Sequence, residues 1–346
     1  KYIENLVLLI RNKVLINGGN LKTTKLIWFY PASMTQGQLD GLADTWKKFF
    51  EEYIGAPATN LISMSESVAP YYYYRTTQNA VSDIVSIDIG GGTTDVLVVE
   101  REQLKILTSF RFAANSVFGD GYKQNMPYGK KNGFVENYDK EITKLLNDNE
   151  LSDLEQVHKE NVKSKRSEDI ISFYFSLLEN KDVCACKMEK NFASMLANDQ
   201  RGKYAFVIFY VAIIWHIAQI MKAKGLGMPH HLTFSGNGSK ILSALTPNDE
   251  TLCRLTKLIF EKVYCKEYPR NGLVLIRPEN AKELTCKGGI ANPQPQTFDQ
   301  VNSVKAVLLG IDDHTFSTDL NYDDINETDE DKVIRNVMSF YKAFFE

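Results

Sequence analysis

The sequence predicts an α/β fold, on three observations. Short apolar runs rich in β-branched and aromatic residues alternate with helical segments, and the order strand, helix, strand, helix occurs twice, which suggests duplicated halves around parallel sheet. Two apolar runs flank DIGGGTTD at residues 88–95, a glycine break that folds a hairpin and leaves bare backbone at its turn. Between that hairpin and the second copy of the order lies a polar, helix-prone stretch, read as an insertion.

Taken in chain order, residues 2–16 carry apolar side chains at helical spacing and stop at Gly18 and Gly19, which can cap a helix C-terminus. LIWFY (26–30) is a buried-strand run closed by Pro31. Residues 36–54 form an amphipathic helix with Leu39, Leu42, Trp46, Phe49 and Phe50 on one face and Gly55 at its end. The strand NLISM follows, then SESVAP with Glu66, then four consecutive tyrosines at 71–74, read as a packed helix face. After the glycine hairpin and the insertion at 118–201 come the strand HLTFS (231–235), a glycine turn, helical sequence through 259, the strand GLVLI (272–276) and a further helix. Residues 311–331 hold nine acidic residues, a solvated connection in which calcium binding is not expected, because the sharp-turn glycine of an EF-hand loop is missing. Residues 333–345 read as a last docked helix.

Composition narrows the partners. Forty Lys and Arg against 43 Asp and Glu leave no bulk positive field for nucleic acid or an anionic membrane. Residues 204–221 run 18 positions without a formal charge, but His216 and Gln219 lie inside and a strand pattern follows, so a buried helix is expected rather than a membrane span. Five cysteines without a regular framework fit a reduced, cytoplasmic compartment, and Cys184-Ala-Cys186 lacks the second ligand pair of a zinc site. His230 and His231 read as the polar lead into a strand, not as metal ligands.

Taken one at a time, a glycine triplet also closes a hairpin without a ligand, Glu66 can cap a helix, and Gly236-Asn237-Gly238 can be a bare strand-to-helix turn. Together and in this order, five segments resemble the ATPase domain of the actin, heat-shock chaperone and sugar kinase superfamily, with the chaperone branch nearest. DIGGGTTD resembles the second phosphate loop; YPASMTQGQLDGL and SESVAPYYYY resemble the Pro-Ala strand end and the interdomain segment that carries a Glu; VFGDGY (117–122) resembles the turn after the third strand; TFSGNGSKIL (233–242) resembles the adenosine loop. CKGGIAN (286–292) falls where a second connecting helix carries small residues.

The resemblance implies a ribonuclease H-like, duplicated actin-type fold whose first half is truncated, with a helical insertion lobe. Residues 1–80 would form a partial first lobe, 81–117 and 202–295 the second lobe, 118–201 the inserted subdomain, and 296–346 the acidic tail and final helix. It implies ATP or ADP with Mg²⁺: amides of Gly90, Gly91, Gly92 and Thr93 on a phosphate, hydroxyls of Thr93 and Thr94 beside them, and Gly119 and Gly121 in the following turn. Gly236, Asn237, Gly238, Ser239 and Lys240 would line the nucleoside. Asp88 would hold Mg²⁺ through water, and Asp88 with Glu66 would orient the attacking water.

One segment of the superfamily has no counterpart: the Asp-x-Gly hairpin of the first phosphate loop, with its Lys, is not found in residues 1–346. Either the chain is cut from a longer protein, or this half of the clamp is lost and nucleotide is bound weakly or not at all. The expected function is an ATP-binding, ATP-hydrolysing switch domain. The alternatives are a non-catalytic assembly or scaffold protein that binds a protein partner or its own copies, and a kinase acting on a small molecule.

Overall fold

The computed structural model describes residues 1–32, 34–77, 83–120, 131–186, 192–269, 272–277, 283–292 and 330–346. The expectations for 296–329, including the acidic connection, and for Gly121 fall outside them. Within them the fold is mixed α/β. The first unit is helix α1 (Tyr2–Ile16), strand β1 (Leu26–Tyr30), helix α2 (Gln36–Tyr53), strand β2 (Leu61–Ser65) and helix α3 (Ala69–Thr77). β1 and β2 pair in parallel with Leu26 opposite Leu61 and Tyr30 opposite Ser65. Leu26, Trp28 and Tyr30 point to one side of β1 and meet Val7, Leu39, Trp46 and Phe50 in a single cluster, where the Trp28 and Trp46 rings stack at 5.9 Å. The amphipathic spacing of α2 thus finds the apolar face of a strand only five residues long.

The second unit is a five-stranded sheet in the order β5-β4-β3-β6-β7. Strands β3 (Ile84–Ile89), β4 (Thr94–Glu100) and β5 (Gln103–Phe110) form an antiparallel meander, while β6 (His231–Ser235) and β7 (Val274–Ile276) add in parallel beyond β3. β3 and β4 are covered on both faces, which is why they read as nearly continuous apolar runs instead of alternating ones. One face packs on Tyr71, Tyr74 and Leu284; the other packs on helices between residues 114 and 263.

Between β5 and β6 run α4 (Ala114–Phe118), α5 (Gly133–Asp148), α6 (Ser152–Ser164), α7 (Ser167–Ser176), α8 (Lys181–Ala185), α9 (Phe192–Asn198) and α10 (Gln200–Ala223). The insertion is helical in its described residues, and its apolar side chains (Val135, Ile142, Ile171, Tyr174) belong to the same buried cluster as Val85, Ile87 and Phe234 of the sheet. Phe118 joins the two, with Phe134 at 5.2 Å and Phe206 at 5.9 Å.

α10 is the one described helix long and apolar enough to cross a membrane, and 56% of its apolar window is buried within the protein. Its polar residues have protein neighbours: His216 lies edge-on to Phe110 at 4.9 Å, and Gln219 donates to Asn336 at 3.0 Å. Asn336 lies on the last helix, α14 (Glu330–Phe345). After β6 come α11 (Ile241–Leu245) and α12 (Asp249–Tyr264), and after β7 comes α13 (Leu284–Ala291).

α3 and α13 cross at the junction between the units. A Cβ on Gly288 would lie 1.7 Å from the Ala69 carbonyl oxygen, so only glycine lets the two backbones touch there. Gly289, next along, faces the Phe29 ring of β1.

Candidate functional site

The β3–β4 register fixes the first part of the site. Ile89 pairs with Thr94 and Asp88 with Asp95, leaving Gly90 to Thr93 as the turn, closed by the Gly90 amide on the Thr93 carbonyl at 2.9 Å. The carbonyls of Gly90 and Gly91 accept from the amides of Ala114 and Asn115, at 3.2 and 2.8 Å, so the start of α4 braces the turn from behind. Gly91 and Gly92 remain exposed.

Directly opposite cross-strand residues share a face of the sheet, so Asp88 and Asp95 lie side by side. Asp88 accepts from the Ser235 hydroxyl at 2.9 Å; burial nevertheless raises its pKa, with that hydrogen bond opposing the shift. Burial likewise pushes Asp95 up to about 6, opposed by the Ser109 hydroxyl and reinforced by the Asp88 charge. Glu66, held at the end of β2 by its amide on the Tyr30 carbonyl at 3.0 Å, is pushed up to about 7 by burial first and then by the charges of Asp95 and Asp88. Three carboxylates from the two units therefore sense one another across the junction. Like charges gathered without a cation are costly in a fold and common where a cation or a proton is handled.

The second part is the turn after β6. Gly236 has φ +79° and ψ 156°, a conformation kept to glycine, and a Cβ on it would fall 2.3 Å from Asp88 Oδ1. A Cβ on Gly238 would fall 2.5 Å from the Gly90 carbonyl oxygen and 2.7 Å from that of Ile89. The two glycine corners are thus in backbone contact, because β6 lies parallel beside β3 and both strands end on the same edge.

Both corners open on one cleft of about 680 Å³. Gly91 and Asn115 lie on its wall with Asn237, Gly238, Ser239 and Lys240; across from them run Glu168, Ile171, Ser172, Phe175, Ser176 and Glu179 on or just after α7; and Asp249 and Arg277 contribute from the ends of α12 and β7. Lys240 is paired with Glu179 at 2.5 Å and Arg277 with Asp249. Glu168 keeps one carboxylate oxygen, Oε2, buried with no hydrogen-bond partner among the described residues, its other oxygen lying 3.5 Å from Arg166.

The structure brings Asp88, Gly90 to Thr93 and Gly236 to Gly238 together, and sets Glu66 within electrostatic reach of Asp88. Thr94 is placed otherwise: fully buried, it donates its hydroxyl to the Phe112 carbonyl at 2.6 Å, and so holds the turn's base instead of facing the cleft. Ser239 donates to the Gly236 carbonyl at 2.6 Å within its own turn. Gly119 ends α4, its amide on the Asn115 carbonyl at 2.9 Å, and is not among the residues on the cleft wall. Asp95, Asn115, Glu168 and Arg277 are not among the site residues that the sequence points to. The position of Asp95 opposite Asp88 follows from counting outward from the GGGT turn; the other three are brought in by tertiary packing and carry no local signal.

Among the described residues no group of three or more His, Cys, Asp or Glu is disposed to hold a metal by itself. Mg²⁺ retains several waters and takes few protein ligands, and Asp88, a partly exposed carboxylate beside the glycine turn, is a donor of the kind that fits it.

No protein-family model matches the chain, and no curated protein matches it. Solved structures similar to it include the ethanolamine utilization protein EutJ from Carboxydothermus hydrogenoformans, 10% identical over 84% of this chain and 74% of that one with a TM-score of 0.38. A ROK family transcriptional regulator, a homolog of the E. coli MLC protein, is 13% identical over 84% and 67% with a TM-score of 0.42. MreB 5 of Spiroplasma citri bound to AMPPNP is 14% identical over 78% and 68% with a TM-score of 0.36. At these identities and scores the likenesses carry no inference about what this chain binds.

Proposed function

We propose that the chain is a nucleotide-binding switch domain that takes Mg-ATP in the cleft between the Gly90–Thr93 turn and the Gly236–Lys240 turn, and hydrolyses it. The observation that carries this reading is the backbone contact of the two glycine corners, with the exposed Gly91 of one and Asn237 and Gly238 of the other on the wall of the same cleft. A turn of unshielded amides accepts anionic oxygens, and a cleft that mixes aromatic, serine and paired charged residues suits a base and a ribose.

On this reading the amides of Gly91 and Gly92 and the Thr93 hydroxyl bind phosphate oxygens. Asn237 and Gly238 lie along the nucleoside, and Phe175 and Phe234 give it apolar cover. Asp88 would hold Mg²⁺ through its bound water, and the metal would supply neutralisation of phosphate charge. Glu66, poised near neutrality, is suited to accept a proton from water placed between the units. The α3–α13 crossing is the place where the two units can pivot on nucleotide binding.

Differential scanning fluorimetry of the chain with Mg-ATP tests the reading. A saturable rise in Tm is expected, from stabilisation that grows with ligand concentration, and it should vanish in Asp88→Ala and Gly91→Val. A scaffold protein on the same fold gives no nucleotide-dependent shift, and a small-molecule kinase gives phosphate transfer to added sugars.

A further inference from the structure

The last helix carries two apolar stripes, and among the described residues only one of them packs against the rest of the chain. On α14, Phe340 lies 6.0 Å from Trp215 of α10, Phe340 and Phe344 pack against the main cluster, and Glu346 just beyond is paired with Lys262 of α12 at 3.2 Å. That contact leaves Ile334, Val337, Met338, Tyr341 and Phe345 exposed, Met338 at 61% and Phe345 at 79%. Positions 334, 338, 341 and 345 recur at the i, i+4, i+7, i+11 spacing of a helix–helix seam.

We propose that this second stripe pairs with the same stripe of a second copy of the chain, the two α14 helices lying antiparallel about a two-fold axis between Val337 and Met338. Charge selects this occupant. The helix and the residue after it hold three anions, Glu330, Asp331 and Glu346, and three cations, Lys332, Arg335 and Lys342. A helix of zero net charge has little attraction for an anionic lipid surface, which rewards an excess of Lys and Arg. The same charges are self-complementary. With 3.6 residues per turn, Asp331 and Lys342 fall on the same flank of the stripe, at opposite ends. Antiparallel pairing therefore sets Asp331 of one copy near Lys342 of the other, twice per dimer, and Ile334 against Tyr341. The helix dipoles also oppose. A two-fold seam is self-limiting, so the product is a dimer, not a filament.

Sedimentation velocity of the whole chain across a concentration series tests this. A reversible monomer–dimer equilibrium in the micromolar range is expected. Met338→Glu, at the centre of the seam and therefore counted twice, should weaken it about 100-fold while leaving the melting temperature unchanged at concentrations where the parent is monomeric. Asp331→Lys and Lys342→Asp should each weaken it, and the double exchange should restore it by re-forming both pairs with reversed sign. The inference is overturned by a chain that stays monomeric at all concentrations, by a dimer that Met338→Glu leaves intact, or by charge exchanges that merely add. It is also overturned if the chain stays monomeric and sediments with phosphatidylcholine–phosphatidylglycerol vesicles. Nucleotide is absent throughout, so failure here leaves the reading of the cleft untouched.

Discussion

Replacing Gly238 by alanine isolates the contact on which the cleft depends. Its φ is not positive, so alanine meets no backbone strain of its own there. The added methyl is the whole perturbation. It would lie 2.5 Å from the Gly90 carbonyl oxygen, 2.7 Å from the Ile89 carbonyl oxygen and 2.8 Å from Ile89 Cγ2, and two of these three atoms are backbone that cannot rotate aside. Ordinary carbon–oxygen contact needs nearly an ångström more, so the two glycine corners must separate by several tenths of an ångström. Overpacking of this kind costs roughly 1–3 kcal/mol. For a chain of this size that is a fall in Tm of several degrees, at about 2–4 °C per kcal/mol. The gap opens beneath the Gly90–Thr93 turn, so on the proposed reading the Mg-ATP-induced shift should shrink as well. Paired fluorimetry scans with and without Mg-ATP read both effects. An unchanged Tm together with an unchanged nucleotide shift would refute the close approach of the two turns.

Four further outcomes follow. Because Glu66 and Asp95 have raised pKa values in the fold, about 7 and about 6, their protonated forms are favoured by folding, and stability falls as pH rises from their unfolded values near 4 through their folded ones. Glu66→Gln should thus stabilise the nucleotide-free chain at pH 8 by on the order of 1–2 kcal/mol, allowing for partial exposure, and the gain should vanish near pH 4; equal denaturation midpoints at pH 8 would contradict the carboxylate cluster. Thr94→Val leaves the Phe112 carbonyl without its donor and should cost about 1–3 kcal/mol in urea melts, whereas Thr93→Val should leave stability within about 0.5 kcal/mol and weaken nucleotide binding. Gly288→Val, whose Cβ would collide with the Ala69 carbonyl, should separate α3 from α13, seen as faster hydrogen exchange in both helices. Phe340→Ala should cost about 3 kcal/mol or less, as the ring is only partly buried, and should expose Trp215, read as a red shift in its fluorescence.

Much of this was legible in the chain itself. α1, β1 and β6 occupy the residues expected from apolar periodicity, because Gly18, Pro31 and Gly236 punctuate them by backbone chemistry that tertiary contacts rarely override. The 18-residue apolar run became a helix buried over much of its length, as His216 and Gln219 imply, each with a partner waiting on another element. The cleft was half legible. Its two glycine corners are local sequence, but its far wall is a side of α7 that mixes Ser172 and Ser176 with Ile171 and Phe175, and no local pattern says which helix face will look into a cavity. Thr94 illustrates the other limit: a motif supplies two hydroxyls, and strand pleating sends one of them into the protein. The apolar content of the insertion was also understated by its polar average, since helices conceal a core stripe that composition dilutes.

Isothermal titration of Mg-ATP into the chain, run beside Gly91→Val, bears most directly on the central claim. The nearest neighbour of a Cβ at residue 91 is the Asn115 side chain, at 3.3 Å, a flexible group at the surface that can give way, so the fold should persist while the amides of the turn are shielded. Saturable heat in the parent that disappears in the variant is the predicted result. Equal heats in both, or none in the parent, would contradict an anion bound at the Gly90–Thr93 turn.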